Sequence, residues 1–289
     1  MTGTKIRFQV PVDLVLDRWV NIFFSLSIIV LFIVFSGAET HNQILVGLTL
    51  SFVLTFTAFL INWLTIDGAV SATIFGTIAF GLGDLLGAGL VLAFFISGSL
   101  LSKDQVSEEG FLEKKFRRDG KQVWANGFWF CLSLVVWFLT EQSEFLVAAA
   151  ASIAATTSDT WATEIGFRRF KSSTRLITSW KKVDPGTDGG ISFYGTLGGL
   201  VGALFIGSVY WLLSSEGKIA EILIISLTGF LGCLVDSYIG ARYQYQQIDL
   251  FGFQILGIEK FYVSNNIVNW ISAGIAAIIS FFIILIIGI

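Results

Sequence analysis

The chain has 289 residues, 54% of them hydrophobic and only 13% charged, with a net charge of −3 and a mean hydropathy of +0.78. So few charges cannot cover so much apolar surface in water, which excludes a soluble domain of this length. The single histidine, His41, excludes a His-based metal site, and Cys131 and Cys233 both fall inside apolar runs, where neither a disulfide framework nor a zinc site is expected.

A bilayer core needs about 20 apolar residues per helix. Runs that meet or approach this cover residues 19–36, 44–63, 68–82, 85–101, 122–140, 145–157, 191–213, 219–241 and 267–289. They predict an all-α, polytopic transmembrane bundle of about nine helices, forming one integral membrane domain over residues 1–289. The first run follows a basic start (Lys5, Arg7, Arg18) and ends in small residues, as a cleavable signal would. Its 18 apolar residues are longer than a usual signal core, however, and predict a retained helix. The run 68–82 is short and rich in glycine. The run 145–157 is too short to span unless its helix continues through a polar stretch to Gly166.

Nine spans with the N-terminus inside leave cytoplasmic loops at about 102–121, 167–190 and 242–266. Seventeen of the eighteen Lys and Arg then fall on the inner side, and only Lys218 falls outside. The positive-inside rule therefore predicts a cytoplasmic N-terminus and a C-terminus on the opposite side. Two segments echo one another: Asp67-Gly68-Ala69-Val70-Ser71 and Asp188-Gly189-Gly190-Ile191-Ser192 both lead into an apolar run. Each Asp is expected at a helix start, where it complements the helix dipole. A second pair is Asp159-Thr160-Trp161 and Asp236-Ser237-Tyr238. Together they hint at internal half-repeats, although capping alone would give the same residues.

Acidic residues within membrane spans cost a few kcal/mol each and are functional candidates by default. Asp159 and Asp236 both fall near the predicted cytoplasmic ends of spans, each followed by a hydroxyl residue. Glu164 is five residues beyond Asp159, about 140° round an ideal helix, so the two carboxylates need not share a ligand. The loop Lys181-Lys182-Val183-Asp184-Pro185-Gly186-Thr187-Asp188-Gly189-Gly190 suits phosphate, because glycines let backbone N–H groups turn toward an anion near a helix N-terminus. It lacks the Gly-Lys-Ser/Thr of a Walker A loop, and a tight re-entry turn would look the same. The cluster Glu113-Lys114-Lys115-Phe116-Arg117-Arg118 could bind phosphates or simply anchor to anionic headgroups. Asn126 and Asn269 enter spans from the same side.

The predicted convergence of carboxylates, basic residues and a glycine-rich loop on one leaflet forms a plausible site for a divalent cation and phosphate. Oxygen ligands suit Mg²⁺, which is commonly held by one or two carboxylates together with the substrate's phosphates. Lipid-facing helices around such a site would admit an apolar tail while the headgroup stays near water.

These segments, in this order, resemble the transmembrane-protein-19-like family of integral membrane proteins, which includes plant phytyl-phosphate kinases. The resemblance runs from about Asp67 to Trp270. Its most specific pieces are Arg118-Asp119-Gly120-Lys121-Gln122-Val123-Trp124-Ala125-Asn126-Gly127, Ser158-Asp159-Thr160-Trp161-Ala162-Thr163-Glu164-Ile165-Gly166, Pro185-Gly186-Thr187-Asp188-Gly189-Gly190 and Asp236-Ser237-Tyr238-Ile239-Gly240-Ala241. The family often has Pro where Thr174 precedes Arg175, a departure expected to alter a loop. The resemblance implies phosphoryl transfer from a nucleoside triphosphate to a prenyl monophosphate, although family membership does not settle a substrate.

The expected roles follow. Asp159, Asp236 and Asp188 are candidate Mg²⁺ ligands. Lys114, Arg117, Gly186, Thr187, Gly189 and Gly190 are candidate phosphate contacts, and Arg118, Asn126, Glu164 and Asn269 are candidate catalytic or orienting groups. The expected partners are a prenyl phosphate, a nucleoside triphosphate and membrane lipid, with no nucleic acid. Two rivals use the same residues differently. An ion-coupled transporter would employ paired carboxylates near the bilayer midplane with polar paths to both faces, and a lipid-binding protein would merely hold the headgroup.

Overall fold

The computed structural model describes residues 13–34, 37–102, 117–168, 173–215, 217–249 and 260–288. Among them are eight helices: α1 (Asp13–Val34), α2 (Ala38–Leu60), α3 (Ile66–Ser102), α4 (Gly120–Thr140), α5 (Ser143–Arg168), α6 (Phe193–Leu213), α7 (Ile219–Tyr243) and α8 (Asn265–Ile287). All but α5 are long and apolar enough to cross a membrane. Large side chains such as Leu212 (75% exposed) and Ile286 (81% exposed) point outward. A surface of that kind is stable in lipid and not in water.

The expected count of about nine separate helices is corrected to eight. The runs 68–82 and 85–101 belong to one element, α3, which is broken at Asp84 (φ 49°, ψ −145°). A straight helix would carry Gly68 and Gly98 about 45 Å apart. Instead both lie against Arg118, so that a Cβ added at Gly68 would stand 2.2 Å from the Arg118 carbonyl oxygen and one at Gly98 2.7 Å from its Nη2. The chain therefore reverses at Asp84, and α3 is a hairpin of two arms.

Helix α5 explains why its hydropathy is low. It packs against α3, α4, α6, α7 and α8, and residues 147–158 are buried without interruption. A helix enclosed by other helices needs small residues for close packing rather than an apolar exterior, and Ala148–Ala151 with Ala154 and Ala155 supply them. Its polar continuation stays helical to Arg168, and hydroxyls along it are satisfied by bonding back to the helix's own carbonyls. Thr156 donates to Ser152 O (3.1 Å), Thr157 to Ile153 O (2.8 Å) and Thr160 to Thr156 O (2.9 Å).

The remaining structure is short. Strands β1 (Thr174–Leu176), β2 (Lys182–Val183) and β3 (Gly190–Ile191) form an antiparallel sheet in the order β2-β1-β3, with Arg175 opposite both Lys182 and Ile191. This sheet fixes both ends of the loop 184–189. Strands β4 (Gln247–Asp249) and β5 (Lys260–Tyr262) pair ahead of α8. None of these strands was expected, since two or three residues carry no periodic signal.

Candidate functional site

The site is assembled by close packing of α5 and α7. Gly229 and Gly232 meet Ala154 and Ala155 so tightly that an added Cβ would stand 2.5 Å and 2.6 Å from the respective alanine Cβ atoms. One turn beyond Gly232, Asp236 reaches the depth of Asp159 on α5. Both carboxylates line one cleft of about 340 Å³, whose other wall is the loop carrying Asp188. The charges of Asp159 and Asp188 both act on Asp236. All three sequence-predicted metal candidates therefore share a cavity.

Asp236 is buried but not unsupported. Ser272 of α8 donates to its Oδ2 at 3.1 Å. In the amide orientation that satisfies its neighbours, the Asn269 nitrogen donates to the same oxygen at 3.0 Å and to the Asn265 carbonyl at 3.2 Å, which turns its oxygen toward Asn126. Asn126 of α4 stands 3.4 Å from the Asn269 amide, and its carbonyl receives the Thr156 hydroxyl at 3.4 Å. The two predicted asparagines thus lie in one chain of contacts that ends on Asp236.

The loop is built differently from the expected anion cradle. Thr187 N–H donates to Asp184 O (3.2 Å) and Gly190 N–H to Thr187 O (2.8 Å), so both amides are engaged in shaping the turn. Gly189 holds φ +71° against α7, where a Cβ would meet the Ser237 carbonyl oxygen at 2.5 Å; only glycine fits that conformation at that distance. Asp188 is five residues before α6 and does not cap it. Ser192 does, accepting from Gly195 N–H at 3.2 Å. Gln244 donates to Asp188 Oδ1 at 2.9 Å, and partial burial pushes the Asp188 carboxyl above its ordinary range. The first echo segment behaves otherwise. Asp67 sits in the first turn of α3 and its Oδ2 accepts the Gly120 N–H at 2.9 Å, tying α3 to the start of α4.

A second cluster lies on the α3 side of α5. Glu164 accepts from Ser102 at 2.8 Å and its charge acts on Arg118, and it does not line the Asp159 cleft. Arg118 is fixed by its backbone, donating to Trp63 O (3.0 Å) and accepting from Thr65 N–H (3.1 Å). Its guanidinium lies against the rings of Phe94 and Phe95, 4.9 Å and 5.4 Å from their centroids. Burial lowers its pKa to about 10, opposed by Glu164, and it stays cationic at neutral pH. Arg117 is half-buried, donates to Asn62 and does not line the cleft. Lys114 lies outside the described residues, as do most of 102–121 and parts of the other two predicted loops.

Ser272 and Gln244 were missed by the sequence reading, and helical spacing could have found both. Asp236, Gly240 and Gln244 form an i, i+4, i+8 stripe, and Asn265, Asn269 and Ser272 an i, i+4, i+7 stripe. Among the described residues no three His, Cys, Asp or Glu side chains converge as a ready-made metal cage. The charged donors are carboxylate oxygens, with Asp159 and Asp236 flanking the cleft and the Cys233 thiol on the wall between them. That suits a hard cation which completes its shell with water and substrate phosphate rather than protein.

Known proteins share this sequence over much of its length. A membrane protein of Methanocaldococcus jannaschii described as uncharacterized is 35% identical over 187 residues, 62% of this chain and 74% of that one. Protein PGR of Arabidopsis thaliana is 27% identical over 237 residues, 72% of this chain and 82% of its own. Protein VTE6, chloroplastic, of the same plant is 29% identical over 256 residues, 85% and 72% respectively. No solved structure matches. Residues 49–277 match the family described as integral membrane protein DUF92, and the chain belongs to that family of integral membrane proteins.

Proposed function

We propose that this protein is a membrane-embedded kinase that transfers a phosphoryl group from a nucleoside triphosphate to a prenyl monophosphate, giving the diphosphate. The observation that carries this reading is the pairing of Asp159 and Asp236 across one polar cleft at the end of an otherwise apolar bundle. Sequence similarity to the two plant proteins over most of the chain agrees with the resemblance to a family that includes phytyl-phosphate kinases.

Phosphoryl transfer depends on positioning and charge neutralisation more than on covalent chemistry by the protein. The acceptor is a phosphate monoester with a second pKa of about 6, so it is largely ionised at neutral pH and needs no strong general base. The difficulty is repulsion between two anions. Mg²⁺ held by Asp159 and Asp236, with Asp188 as a further ligand, would neutralise phosphate charge when bound. Ser272 and Asn269 hold Asp236 in one orientation, and the loop 184–190 closes the cleft over the nucleotide's phosphates. Gly186 and Gly189 allow that loop to approach closely, while Thr187 and Gly190 keep its shape. The polar end is taken to face the cytoplasm, where the basic residues and the nucleotide would both be found.

The test uses purified protein in detergent with Mg²⁺, nucleoside triphosphate and farnesyl or phytyl phosphate. Diphosphate should form, and Asp159→Asn and Asp236→Asn should abolish it. Full activity in both variants would remove the metal assignment. Uptake of a solute by proteoliposomes without any phosphoryl transfer would favour a transporter instead.

A further inference from the structure

Arg118 is half-buried, and its guanidinium carries a shielded, unused donor. Its Nη1 is shielded from solvent and has no hydrogen-bond partner among the described residues. Leaving a donor on a charged group buried and unpaired costs more than leaving a neutral one, by the full desolvation of that group. The aromatic rings of Phe94 and Phe95 recover part of this, since a cation over a ring face is attracted to it. They cannot replace a hydrogen-bond acceptor.

The space beside this guanidinium is apolar. Arg118 and Asn126 stand at the edge of a cavity of about 90 Å³ enclosed by α2, both arms of α3 and α4. Its walls include Leu54, Phe75, Val91 and Phe95, and it extends inward from the polar end toward Ser51 and Gly76. An anion at Arg118 would therefore have hydrocarbon on one side. Asn126 lines the same cavity and stands 3.4 Å from the amide of Asn269, which in turn meets Asp236.

We infer that this cavity takes the proximal part of the prenyl tail and that the Arg118 guanidinium receives the phosphate of the lipid substrate. The lipid then enters from the α3 side of α5, while the nucleotide occupies the polar cleft on the α7 side, and the two meet near Asn126. Arg118 touches substrate in this arrangement and Val91 sets the width of the tail site. The choice of phosphate as headgroup rests on the kinase reading; the choice of an anionic amphiphile rests on the cavity and the unpaired donor.

Binding is measured without nucleotide, so that no transfer can occur, by titrating farnesyl phosphate into the full-length protein in detergent. Farnesol and inorganic phosphate, each carrying half of the ligand, should bind far more weakly. Arg118→Gln should weaken farnesyl phosphate about tenfold or more, the usual loss for a hydrogen bond to a charged group. Val91→Trp fills the cavity beside the headgroup and should weaken farnesyl phosphate and dimethylallyl phosphate alike, while leaving inorganic phosphate, which has no tail, within about twofold, a margin smaller than one lost weak contact. Should Arg118→Gln fail to fold, the loss of both prenyl phosphates against unchanged inorganic phosphate in Val91→Trp decides alone. Unchanged affinity in Arg118→Gln, or unchanged affinity for dimethylallyl phosphate in Val91→Trp, overturns the inference. A protein that binds farnesyl phosphate in this pattern yet makes no diphosphate keeps this inference and loses the kinase reading.

Discussion

Gly229 of α7 crosses α5 at Ala154, with room for no side chain: a Cβ at Gly229 would stand 2.5 Å from the Ala154 Cβ. That contact determines how near Asp236 comes to Asp159, so the site's geometry depends on a residue that has no polar atom in its side chain. Gly229→Val should force the helices apart and cost about 1–3 kcal/mol, as other overpacked interfaces do. Thermal unfolding in detergent should show a lowered Tm. Activity should fall further than the stability loss accounts for, because the carboxylates separate. A variant with wild-type Tm and full turnover would sever the link between this packing and the site.

Ser272→Ala removes the hydroxyl that donates to Asp236 Oδ2 at 3.1 Å. A hydrogen bond to a charged group contributes about 1.5–3 kcal/mol, or roughly 10–100-fold in an equilibrium or rate. The expected result is that much loss in kcat/KM with a raised Mg²⁺ requirement, since Asp236 is no longer held in place. Ser272→Thr should restore most of it. A loss that extra Mg²⁺ does not relieve would show that Ser272 acts on something other than the cation site.

The helices were legible because burial in lipid writes itself as long apolar runs. Residues 122–140 and 219–241 were expected as spans and are α4 and α7 nearly to the residue. The break at Asp84 was legible too: separate apolar runs, 68–82 and 85–101, flank it, and the structure joins them as the two arms of one hairpin. Asp159 and Asp236 stood out because a carboxylate in an apolar run is costly. Which carboxylates share a cleft was not legible. Helical spacing put Glu164 and Asp159 on different faces of one helix, but that Glu164 faces Arg118 and Asp159 faces Asp236 follows only from the packing of α3 and α7 on α5.

Asp84 is in a region of backbone space that is close to glycine-only, with φ 49° and ψ −145°. Such strain costs on the order of 1–3 kcal/mol for a residue with a Cβ. Asp84→Gly should relieve it and raise Tm, with a gain of about 1 kcal/mol after the added freedom of the unfolded glycine is subtracted. The residue is far from the cleft, so turnover should not change. A lowered Tm would mean that the aspartate side chain holds the hairpin tip together.

Partial burial raises the Asp188 carboxyl above its ordinary value of 3.8. A raised pKa means that the proton is retained to higher pH than on a free aspartate, so the charged form that a cation needs is lost sooner as pH falls. Mg²⁺ affinity should therefore decline on the acid side earlier than an unperturbed aspartate would allow. Asp188→Asn should lower the affinity and flatten that acid limb, which Mg²⁺ titrations across mildly acidic pH would reveal. An acid limb identical in Asp188→Asn and wild type would assign the titration to another group.

The distribution of basic residues predicts which side of the membrane carries the site. Seventeen of eighteen Lys and Arg fall on the side shared by the N-terminus and the candidate cleft, if the spans alternate as expected. In a bacterial host, alkaline phosphatase fused to the C-terminus should be active and a fluorescent protein fused there dark. A cysteine placed at Gln244, at the mouth of the cleft, should react with an impermeant maleimide only after the membrane is opened. Labelling of that cysteine in intact cells would put the cleft outside, away from cellular nucleotide, and would undercut the kinase reading along with the orientation.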